Sequence, residues 1–560
     1  MNYLSPLEML YKWNNEKPKE IYLSQPINRT YHTWTWSNVH NQVMKMSSYL
    51  DSLNLKEKSK IGILSKNCAH WIMCDLAIMQ AGHISVPLYP NLNSESLSKI
   101  LEHSEAEVLF IGKLDDFDSM KAGIPSNIKC ITFPFYLQHL PYDTWNEVTK
   151  GSVSKIGSGT WKNFSREVRD RRDIATIIYT SGTTGEPKGV MHKFFNFSFA
   201  TTHAVDTLKL DNETFFSYLP LSHIAERVLV QMGSLYTGGK VFFAESLDTF
   251  AEDLSKASPT VFLGVPRIWN KFQQGILSKF SQKKLDMLLK IPIISSVIKS
   301  KIKQKLGLSK AKQVFTGAAP TPESLLKWFS KIDIHIQEAY AMTENTCYSH
   351  VTLKENIKTG HVGQPLPFCQ VKLSERNEIL IKHDALMDGY YKNEAETKAT
   401  IQNGWLHTGD EGKIDNEGFL KITGRVKDIF KTSKGKYIAP SPIEMKISIN
   451  QNVEQVCVVG NGIPQPIALI VLSEKGRNSS KDFVAQQFKQ MLVDLNPTLD
   501  KHENIKKVIV VADDWNIENK LLTPTMKIKR NSIEKVYVEN YVDWYEDENT
   551  VKYIETSLIK

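Results

Sequence analysis

A run of small and hydroxyl-bearing residues, YTSGTTGEPKGV at 179–190, directly follows a short β-rich segment. The backbone N–H groups of such a run can approach an anion closely, because no bulky side chain stands in the way. Lys188 adds a positive charge at the end of the run. The residues that would face the anion are Thr180, Ser181, Gly182, Thr183, Thr184 and Gly185. Their types and number predict a phosphate-binding loop rather than an ordinary surface turn.

The run is not the G-x-x-x-x-G-K-[ST] phosphate loop, because neither Ser nor Thr follows Lys188. Five further segments with chemistry-bearing residues come after it. They are FTGAAPTP (315–322), EAYAMTEN (338–345), WLHTGDEG (405–412), GRVKDIFKTSKGKYIAP (424–440) and LLTPTMKIKR (521–530). In this order, and over nearly the whole chain, the six segments resemble the motifs of the adenylate-forming superfamily. That superfamily includes acyl-CoA synthetases, firefly-type luciferases and the adenylation domains of peptide synthetases.

The resemblance implies a binding site for ATP. Tyr340 would stack on the adenine ring, and Thr343 would contact a phosphate. Asp410 would accept hydrogen bonds from both ribose hydroxyls, and Arg425 would also reach the ribose. The other residues assigned to the nucleotide outside the loop are Gly317, Ala318, Ala319, Glu338 and Ala339. The small side chains among them would let the backbone approach a flat ring.

A magnesium ion belongs to the same implied site. Glu344 would bind it together with a hydroxyl of the loop, which we assign to Thr180. Carboxylate and hydroxyl oxygens suit a hard cation that bridges polyphosphate oxygens. Ala341 departs from the family pattern, because glycine is usual at this position.

The last of the segments resembles the motif that carries the family's catalytic lysine. Alignment on Thr523 assigns this role to Lys527. Lys529 remains an alternative, because Met526 occupies a position where glycine is common in the superfamily. The chemistry needs a cation where the carboxylate oxygen attacks the α-phosphate and pyrophosphate leaves.

Two more lysines follow the ribose arginine. Lys427 stands at the family's hinge position, two residues after Arg425. Lys431 begins the basic loop 431–436 and is assigned as a catalytic residue. By the resemblance, this loop lies on a mobile domain that would serve a second half-reaction with CoA.

Two segments indicate which class of carboxylic acid would be the substrate. LPLSHIAER (219–227) and GVPRIWNKF (264–272) resemble the forms found in long-chain fatty acyl-CoA synthetases. His223 would lie near the acyl carboxylate and the adenylate, although a hydrogen-bonded structural histidine is the other interpretation. Arg227 matches the position at which one thermophilic branch has a tryptophan that gates the acyl tunnel. That gate is expected to be absent here or built differently.

These motifs together imply an ATP-dependent long-chain fatty acid:CoA ligase, which uses magnesium, ATP, CoA and a long-chain fatty acid. One alternative is an acyl-AMP ligase that loads a carrier protein, although no extra segment is visible between Gly424 and Ile438. Another is a non-catalytic protein that binds fatty acid or nucleotide. No obligate protein partner is indicated.

Alternating short strands and helices must position these residues. KIGILSKN at 60–67 reads as a strand, 70–82 as a helix and SESLSKILEHS at 94–104 as a helix with a serine cap. Such alternation predicts an α/β fold with a parallel sheet wrapped by helices. By resemblance, residues 1–424 form a large domain of layered sheets with a small distorted barrel. Residues 425–560 form a small mobile α+β domain.

Length and composition indicate the number of domains, the kind of partner and the state of the cysteines. A chain of 560 residues is too long for one compact core. The net charge of +8 is spread over a large surface without a Lys/Arg block of nucleic-acid type, so no nucleic-acid partner is expected. Six cysteines without CxxC spacing fit reduced thiols.

No apolar run approaches the ~18 residues of a membrane span, so we expect a cytoplasmic, unexported protein. The stretch 288–308 is both apolar and basic. A packed helix pair is favoured for it over a membrane-surface element, and peripheral contact with the inner face of a membrane stays open.

Overall fold

The largest sheet has nine strands, of which the six in the middle run parallel and those at the edges antiparallel. The computed structural model describes residues 3–137, 139–152, 170–181 and 187–557. From edge to edge the nine strands are Gln364–Pro365, His350–Val351, Gln337–Tyr340, Gln313–Thr316, Val261–Leu263, Thr214–Ser217, Lys240–Phe243, Ile21–Ile27 and Thr30–Thr35.

A second sheet of eight strands also has six parallel members, with two antiparallel strands at one edge. In spatial order they are Gly389–Tyr390, Pro187–Lys193, Ile174–Ser181, Ile84–Leu88, Lys60–Leu64, Ala106–Ile111, Lys129–Thr132 and Asp143–Thr144. The predicted α/β class with parallel sheets is confirmed.

Helices follow or separate the strands of both sheets. Those before residue 425 are Pro6–Glu16, Trp36–Ser52, Ala69–Gln80, Ser94–Ser104, Trp145–Ser152, Phe194–Leu208, Ile224–Glu226, Gly233–Thr237, Phe250–Ala257, Pro266–Leu277, Gln282–Leu289, Pro292–Lys305, Glu323–Ser330 and Glu394–Thr400. A π-helical segment covers Arg227–Met232, and short 3-10 turns cover Lys121–Gly123 and Thr343–Asn345.

The helix predicted at 94–104 has the expected bounds, Ser94–Ser104, but a different cap. Asn93 is the N-cap, and its side chain accepts a hydrogen bond from the backbone N–H of Ser96. Asparagine and serine are about equally good N-caps, so the sequence pattern alone could not separate two adjacent candidates.

The helix Ala69–Gln80 lies between the two large sheets, and all of its residues are buried. A helix that is apolar on every side can only be stable inside a core. One continuous core cluster joins this helix to side chains of both sheets, including Ile61 and Val108 of the eight-stranded sheet and Phe215 and Val241 of the nine-stranded sheet. The two sheets are therefore the layers of one body.

Arg227 lies in this core with no exposed side-chain surface. Its guanidinium donates to the Asp75 carboxylate at 2.5 Å and to the Thr176 hydroxyl at 2.7 Å. Gln231 donates to the other oxygen of Asp75 at 2.7 Å. Arg227 thus ties the π-helical segment to the eight-stranded sheet. At this position, where one thermophilic branch of the family has a gating tryptophan, this chain has a buried ion pair.

A third sheet is antiparallel and has five strands, which form the small barrel-like part of the fold. They are Gln370–Leu373, Glu378–Lys382, Ile401–Gln402, Trp405–Ile414 and Leu420–Arg425. Its last hairpin brings the predicted ribose residues into register, since Asp410 is paired with Arg425 across the two strands.

The residues after 425 form a hairpin and a four-stranded mixed sheet with helices. The strands are Phe430–Lys431, Tyr437–Ile438, Val453–Val459, Ile467–Leu472, Val508–Val510 and Val551–Tyr553, and the helices are Pro440–Ile447, Glu474–Arg477, Lys481–Leu495, Arg530–Tyr537 and Tyr541–Glu546, with 3-10 turns at Asn496–Thr498 and Val538–Asn540. Two core clusters contain only residues from this part of the chain. A core of its own is what a separate domain requires, and the boundary at 424/425 remains a prediction.

All six cysteines carry free thiols, and five of them are buried while Cys347 is half-buried. Burial raises the pKa of the Cys347 thiol to about 12. Within the described ranges, no helix combines the length and the apolar character needed to cross a bilayer.

The Asp75–Arg227 pair yields a stability prediction. Asp75→Asn keeps the shape of the side chain but leaves the buried guanidinium without a counter-charge. We expect the free energy of unfolding to fall by about 3–5 kcal/mol, the usual cost of breaking a buried ion pair. Urea unfolding followed by tryptophan fluorescence measures it.

The matched control is Glu394→Gln, which breaks the exposed helical pair between Glu394 and Lys398. Exposed pairs contribute about 0–1 kcal/mol, so this variant should unfold nearly like the parent protein. Equal effects of the two substitutions would mean that Arg227 does not depend on Asp75.

Candidate active site

The carboxylate of Asp410 lies at the centre of the candidate site and is almost fully buried. The Tyr340 hydroxyl donates to its Oδ2 at 2.8 Å, and Arg425 Nε donates to its Oδ1 at 3.1 Å. Tyr340 ends a strand of the nine-stranded sheet, while the other two residues belong to the five-stranded sheet. Asp410 is the principal cause of a raised pKa at Arg425, so the guanidinium stays charged. Three predicted nucleotide residues are thus in direct contact.

Lys527 faces the same region from the C-terminal part of the chain. Its side chain is exposed to solvent. Desolvation by the surrounding protein nevertheless lowers the pKa of its ammonium to about 8, with the charge of Arg425 acting in the same direction and that of Asp410 opposing it. Burial, followed by the charge of Lys527, lowers the pKa of His223 to about 4. The lysine, the histidine and the Asp410–Arg425 pair therefore share one electrostatic environment.

Lys529 lies in a different environment, at the N-terminus of the helix Arg530–Tyr537. Its pKa is lowered by desolvation and then by Lys520, with no contribution from Asp410. These electrostatic contributions favour Lys527 over Lys529 as the cation that interacts with Asp410 and Arg425.

Polar contacts hold the loop with Lys527 against the N-terminal body. Asn91 Nδ2 donates to the backbone oxygen of Pro524 at 2.9 Å, and Lys520 pairs with Glu95 at 2.8 Å. Within the loop, Met526 has a left-handed φ of 61°, a conformation that favours glycine. This explains why the family commonly has glycine at the position of Met526.

A second cluster surrounds Tyr390. Its hydroxyl donates to Glu344 Oε1 at 2.9 Å, and the Lys188 ammonium lies 5.3 Å from the centre of its ring. Lys188 also forms an ion pair with Glu396. Burial raises the pKa of Glu344, whereas Tyr390 and Lys188 oppose this shift. The predicted phosphate lysine and the predicted metal carboxylate are brought together around one tyrosine.

Neither Tyr390 nor Glu396 was identified from the sequence. Both belong to a segment without a recognisable motif, about two hundred residues after Lys188 in the chain. The strand Gly389–Tyr390 pairs with Pro187–Lys193 and places Tyr390 opposite Val190. Only this long-range pairing reveals the cluster.

The phosphate loop itself is described in part. Thr180 pairs with Lys188 across the antiparallel strands that flank it, and Ser181 is described by its backbone alone. The predicted residues Gly182, Thr183, Thr184 and Gly185 lie outside the described residues.

The segments assigned to the adenine lie at the ends of adjacent parallel strands. A Cβ on Gly317 would lie 3.1 Å from the backbone oxygen of Ala339, which explains a glycine there. Ala318 adopts a left-handed φ of 65°, and Ala318 and Ala319 are exposed. Burial raises the pKa of Glu338 to about 7, and its carboxylate accepts a hydrogen bond from Gly360 N–H at 3.1 Å.

The turn after this strand holds two more predicted residues, Thr343 and Glu344, in a buried 3-10 turn. Ala341 does not adopt a left-handed φ, so alanine fits at the position where glycine is usual.

A buried polar clamp holds the loop that precedes His223. Asn67 donates to the backbone oxygen of Leu219 at 2.6 Å and accepts from the N–H of Leu221 at 2.9 Å. Glu226 Oε1 accepts from the Ser217 hydroxyl at 2.9 Å and from Asn67 at 3.3 Å. The clamp includes a residue 150 positions away from the loop, which sequence reasoning did not detect.

His223 begins the short helix Ile224–Glu226. Its Nδ1 accepts a hydrogen bond from the N–H of Ala225 at 3.2 Å, so Nε2 is left for another partner. This arrangement is compatible with a histidine near the acyl carboxylate and also with a hydrogen-bonded structural histidine.

Two predicted residues lie apart from these clusters. Lys427 is exposed in the turn after the strand Leu420–Arg425. Lys431 is also exposed, and its ammonium lies 5.6 Å from the ring centre of Tyr437. Within the described parts of the chain, no hydrogen bond or ion pair connects Lys431 to Asp410 or Lys527.

The buried Glu226 yields a pH prediction. Burial raises the pKa of its carboxyl from the ordinary value of 4.5 to about 8, so the folded protein keeps a proton that the unfolded chain releases. The contribution of Glu226 to folding stability must therefore fall as the pH rises from about 4.5 to 8. Glu226→Gln removes the titrating group and should flatten this decline between about pH 6.5 and 8.

Urea midpoints of the parent and the variant over this range measure the effect. Glu338, whose pKa is raised to about 7, contributes equally in both proteins. The buried His70 and His192, whose pKa values are lowered to about 3, are neutral throughout. Parallel midpoint curves for the two proteins would contradict a raised pKa at Glu226.

The chain resembles known proteins over nearly its whole length. The AMP-binding enzyme family matches residues 10–391, and the AMP-binding enzyme C-terminal domain matches residues 427–549. Long chain acyl-CoA synthetase 4 of Arabidopsis thaliana is 29% identical, covering 90% of this chain and 85% of the relative. Long-chain-fatty-acid--CoA ligase 5 of Rattus norvegicus is 28% identical, covering 90% and 84%.

Among solved structures, the anthranilate CoA ligase AuaEII in complex with anthranoyl-AMP superposes with a TM-score of 0.76 and 19% identity. The match covers 95% of this chain and 97% of that protein. It supports the fold, including the layered sheets and the small C-terminal part. The similarity to long-chain acyl-CoA synthetases that the motifs predicted is confirmed, and the chain belongs to the AMP-binding enzyme family.

Proposed function

We propose that this protein is an ATP-dependent long-chain fatty acid:CoA ligase. The observation that carries the proposal is the convergence of Asp410, Arg425 and Lys527, from two distant parts of the chain, in one electrostatic environment beside Tyr340. A carboxylate that can accept from ribose hydroxyls and a cation near it suit a nucleotide whose α-phosphate is attacked.

In the first half-reaction, a carboxylate oxygen of the fatty acid attacks the α-phosphorus of ATP. The bond from that phosphorus to the bridging oxygen breaks, and pyrophosphate leaves with the electron pair. Negative charge accumulates around the α-phosphate in the transition state, and the Lys527 ammonium stabilises it there. Lys188 would hold the outgoing phosphates. The product is an acyl-adenylate.

The residues around Glu344 fit a magnesium ion. The carboxylate of Glu344 is buried, desolvation raises its pKa, and the Tyr390 hydroxyl donates to its Oε1. A cation bound there would balance the negative charge of the buried carboxylate. Together with the Thr180 hydroxyl it offers the oxygen ligands that magnesium prefers. When bound, the ion neutralises charge on the phosphates.

In the second half-reaction, the thiol of CoA attacks the acyl carbonyl of the adenylate and loses its proton, and AMP leaves. No nucleophilic side chain is required. We propose that residues 425–560 rotate about Lys427 between the two steps, with Asp428 or Gly424 as alternative pivots. Lys431 would then come to the site in place of Lys527 and serve the CoA step.

The contacts that would break in this rotation support the proposal. Lys520 and Glu95 are each more than half exposed, and exposed ion pairs are worth about 0–1 kcal/mol. Arg267 and Glu454 form a further partly exposed pair between the two parts. A domain held by such contacts can leave its position at little cost.

The choice of a long-chain acid rests on the two acyl-CoA synthetase relatives and on the motifs around His223 and Arg267. An acyl-AMP ligase that loads a carrier protein is the second candidate. The segment between Gly424 and Ile438 contains only a turn and a short hairpin, and this favours free CoA as the acceptor. AMP release that depends on CoA, measured across acids from acetate to oleate, tests the assignment.

The pKa of Lys527 yields a kinetic prediction. Only the protonated ammonium can stabilise the α-phosphate, so kcat/KM for acyl-adenylate formation should fall as the pH rises through about 8. Lys527→Arg should move this limb to higher pH, since arginine stays charged. Lys527→Ala should reduce adenylate formation about 10²-fold or more while sparing thioester formation from supplied acyl-AMP.

Pyrophosphate exchange measures the first step, and Lys529→Arg is the matched control. If the Lys529 variant moved the alkaline limb and the Lys527 variant did not, the catalytic role would belong to Lys529. Equal losses in both half-reactions for Lys527→Ala would contradict a role confined to the first.

Acyl chain length yields a second kinetic prediction. Each methylene that enters a dry pocket contributes about 0.8 kcal/mol, or roughly fourfold in affinity. The kcat/KM should therefore rise steeply from octanoate towards palmitate. Assays must stay below the aggregation limit of each acid, because a falling monomer concentration imitates an optimum. A maximum at acetate or at an aromatic acid would overturn the long-chain assignment and leave adenylation standing.

A further inference from the structure

The helices Gln282–Leu289 and Pro292–Lys305 form a pair with one apolar side turned to solvent. Leu285 and Ile302 anchor the pair in the core and are 1% and 7% exposed. The corner patch, as we call the exposed apolar side chains where the two helices meet, consists of Met287, Ile291, Ile293, Ile294 and Val297, which are 39–81% exposed.

Single exposed apolar residues are ordinary, but five within eleven positions are not. Ile293, Ile294 and Val297 lie on one face of the first two turns of their helix, because positions three and four apart are neighbours on a helix. These three side chains are thus neighbours on the surface, and Ile291 directly precedes their helix.

Positive charge surrounds the corner patch. Residues 279–312 contain ten lysines and a single carboxylate, Asp286, so their net charge of +9 exceeds the +8 of the whole chain. Two of these lysines, Lys299 and Lys312, are paired with Asp333 and Glu213 at 3.0 Å each.

Seven other lysines of residues 279–312 are exposed, and Lys283, Lys284, Lys290 and Lys301 are the closest of them in sequence to the corner patch. In the described portion of the chain, no carboxylate lies within ion-pair distance of Lys283, Lys284, Lys290 or Lys301. Unpaired cations beside an apolar surface are suited to a partner that is itself apolar with a negatively charged rim.

We propose that the corner patch docks on the surface of an anionic lipid bilayer. The isoleucines, the valine and the methionine would enter the boundary between headgroups and acyl chains, while the lysines contact lipid phosphates. A second copy of the chain is a poorer occupant, because symmetric pairing would bring the two lysine rims together. The proposal does not depend on which acid the protein activates.

Co-sedimentation of the full chain with vesicles tests this docking. One set of vesicles is pure phosphatidylcholine, and the other contains phosphatidylglycerol as about a third of the lipid. We expect binding to the anionic vesicles, little binding to the neutral ones, and weaker binding at about 0.5 M salt, where surface charges are screened.

Ile293→Glu/Val297→Glu places two carboxylates in the patch and should weaken binding at least about tenfold. The matched control is Leu247→Glu/Val493→Glu, since these residues are 85% and 65% exposed and lie outside the helix pair. All four positions are exposed, so urea midpoints should match the parent protein and confirm that each variant is folded.

Lys290→Gln/Lys301→Gln should weaken binding about fivefold per lysine, as expected for cations near an anionic surface. Lys489→Gln/Lys501→Gln removes two exposed lysines of the C-terminal part and is the control for net charge.

Three results would overturn the proposal. The parent protein could fail to bind anionic vesicles. The patch variants could bind as well as their controls. Light scattering could instead reveal a dimer that Ile293→Glu/Val297→Glu dissociates, in which case a second copy is the occupant.

Discussion

The burial of the Asp410 carboxylate is the constraint on which the arrangement of the candidate site depends. A buried charge must be matched by donors or by an opposite charge, since leaving it alone in a protein interior is costly. Asp410 meets this requirement with a phenol from the nine-stranded sheet and a guanidinium from its own sheet. The two sheets are therefore fixed relative to one another where the nucleotide would lie. The same charge also partly offsets the desolvation of Lys527, so the C-terminal loop is favoured in this position.

The molecule combines strongly and weakly held parts. The body around the helix Ala69–Gln80 is fixed by continuous apolar packing and by the Asp75–Arg227 pair, which is sealed from water. The C-terminal part rests on that body through partly exposed polar contacts. The motion proposed between the half-reactions requires this difference, because parts that move must be drawn from the less stable contacts of a structure.

Local sequence patterns were sufficient for much of the fold. A β-rich run and helical periodicity predicted the strand and the two helices between residues 60 and 104, and motifs named Asp410, Arg425, Tyr340 and Lys527 before their contacts were known. Tyr390 and Asn67 were missed, because their roles arise from pairing between segments that are far apart in the chain. At 288–308 the apolar pattern indicated helices, but it could not tell which apolar residues face the core and which face water.

The burial of the cysteines has a practical consequence. A thiol reacts as its thiolate, and burial both raises the pKa and blocks access to reagents. None of the six native cysteines is exposed, and the half-buried Cys347 has a pKa of about 12. A single cysteine introduced on the surface would therefore be the preferred site for a fluorescent or spin label. Distances between two such labels could be followed in solution without first removing the native thiols.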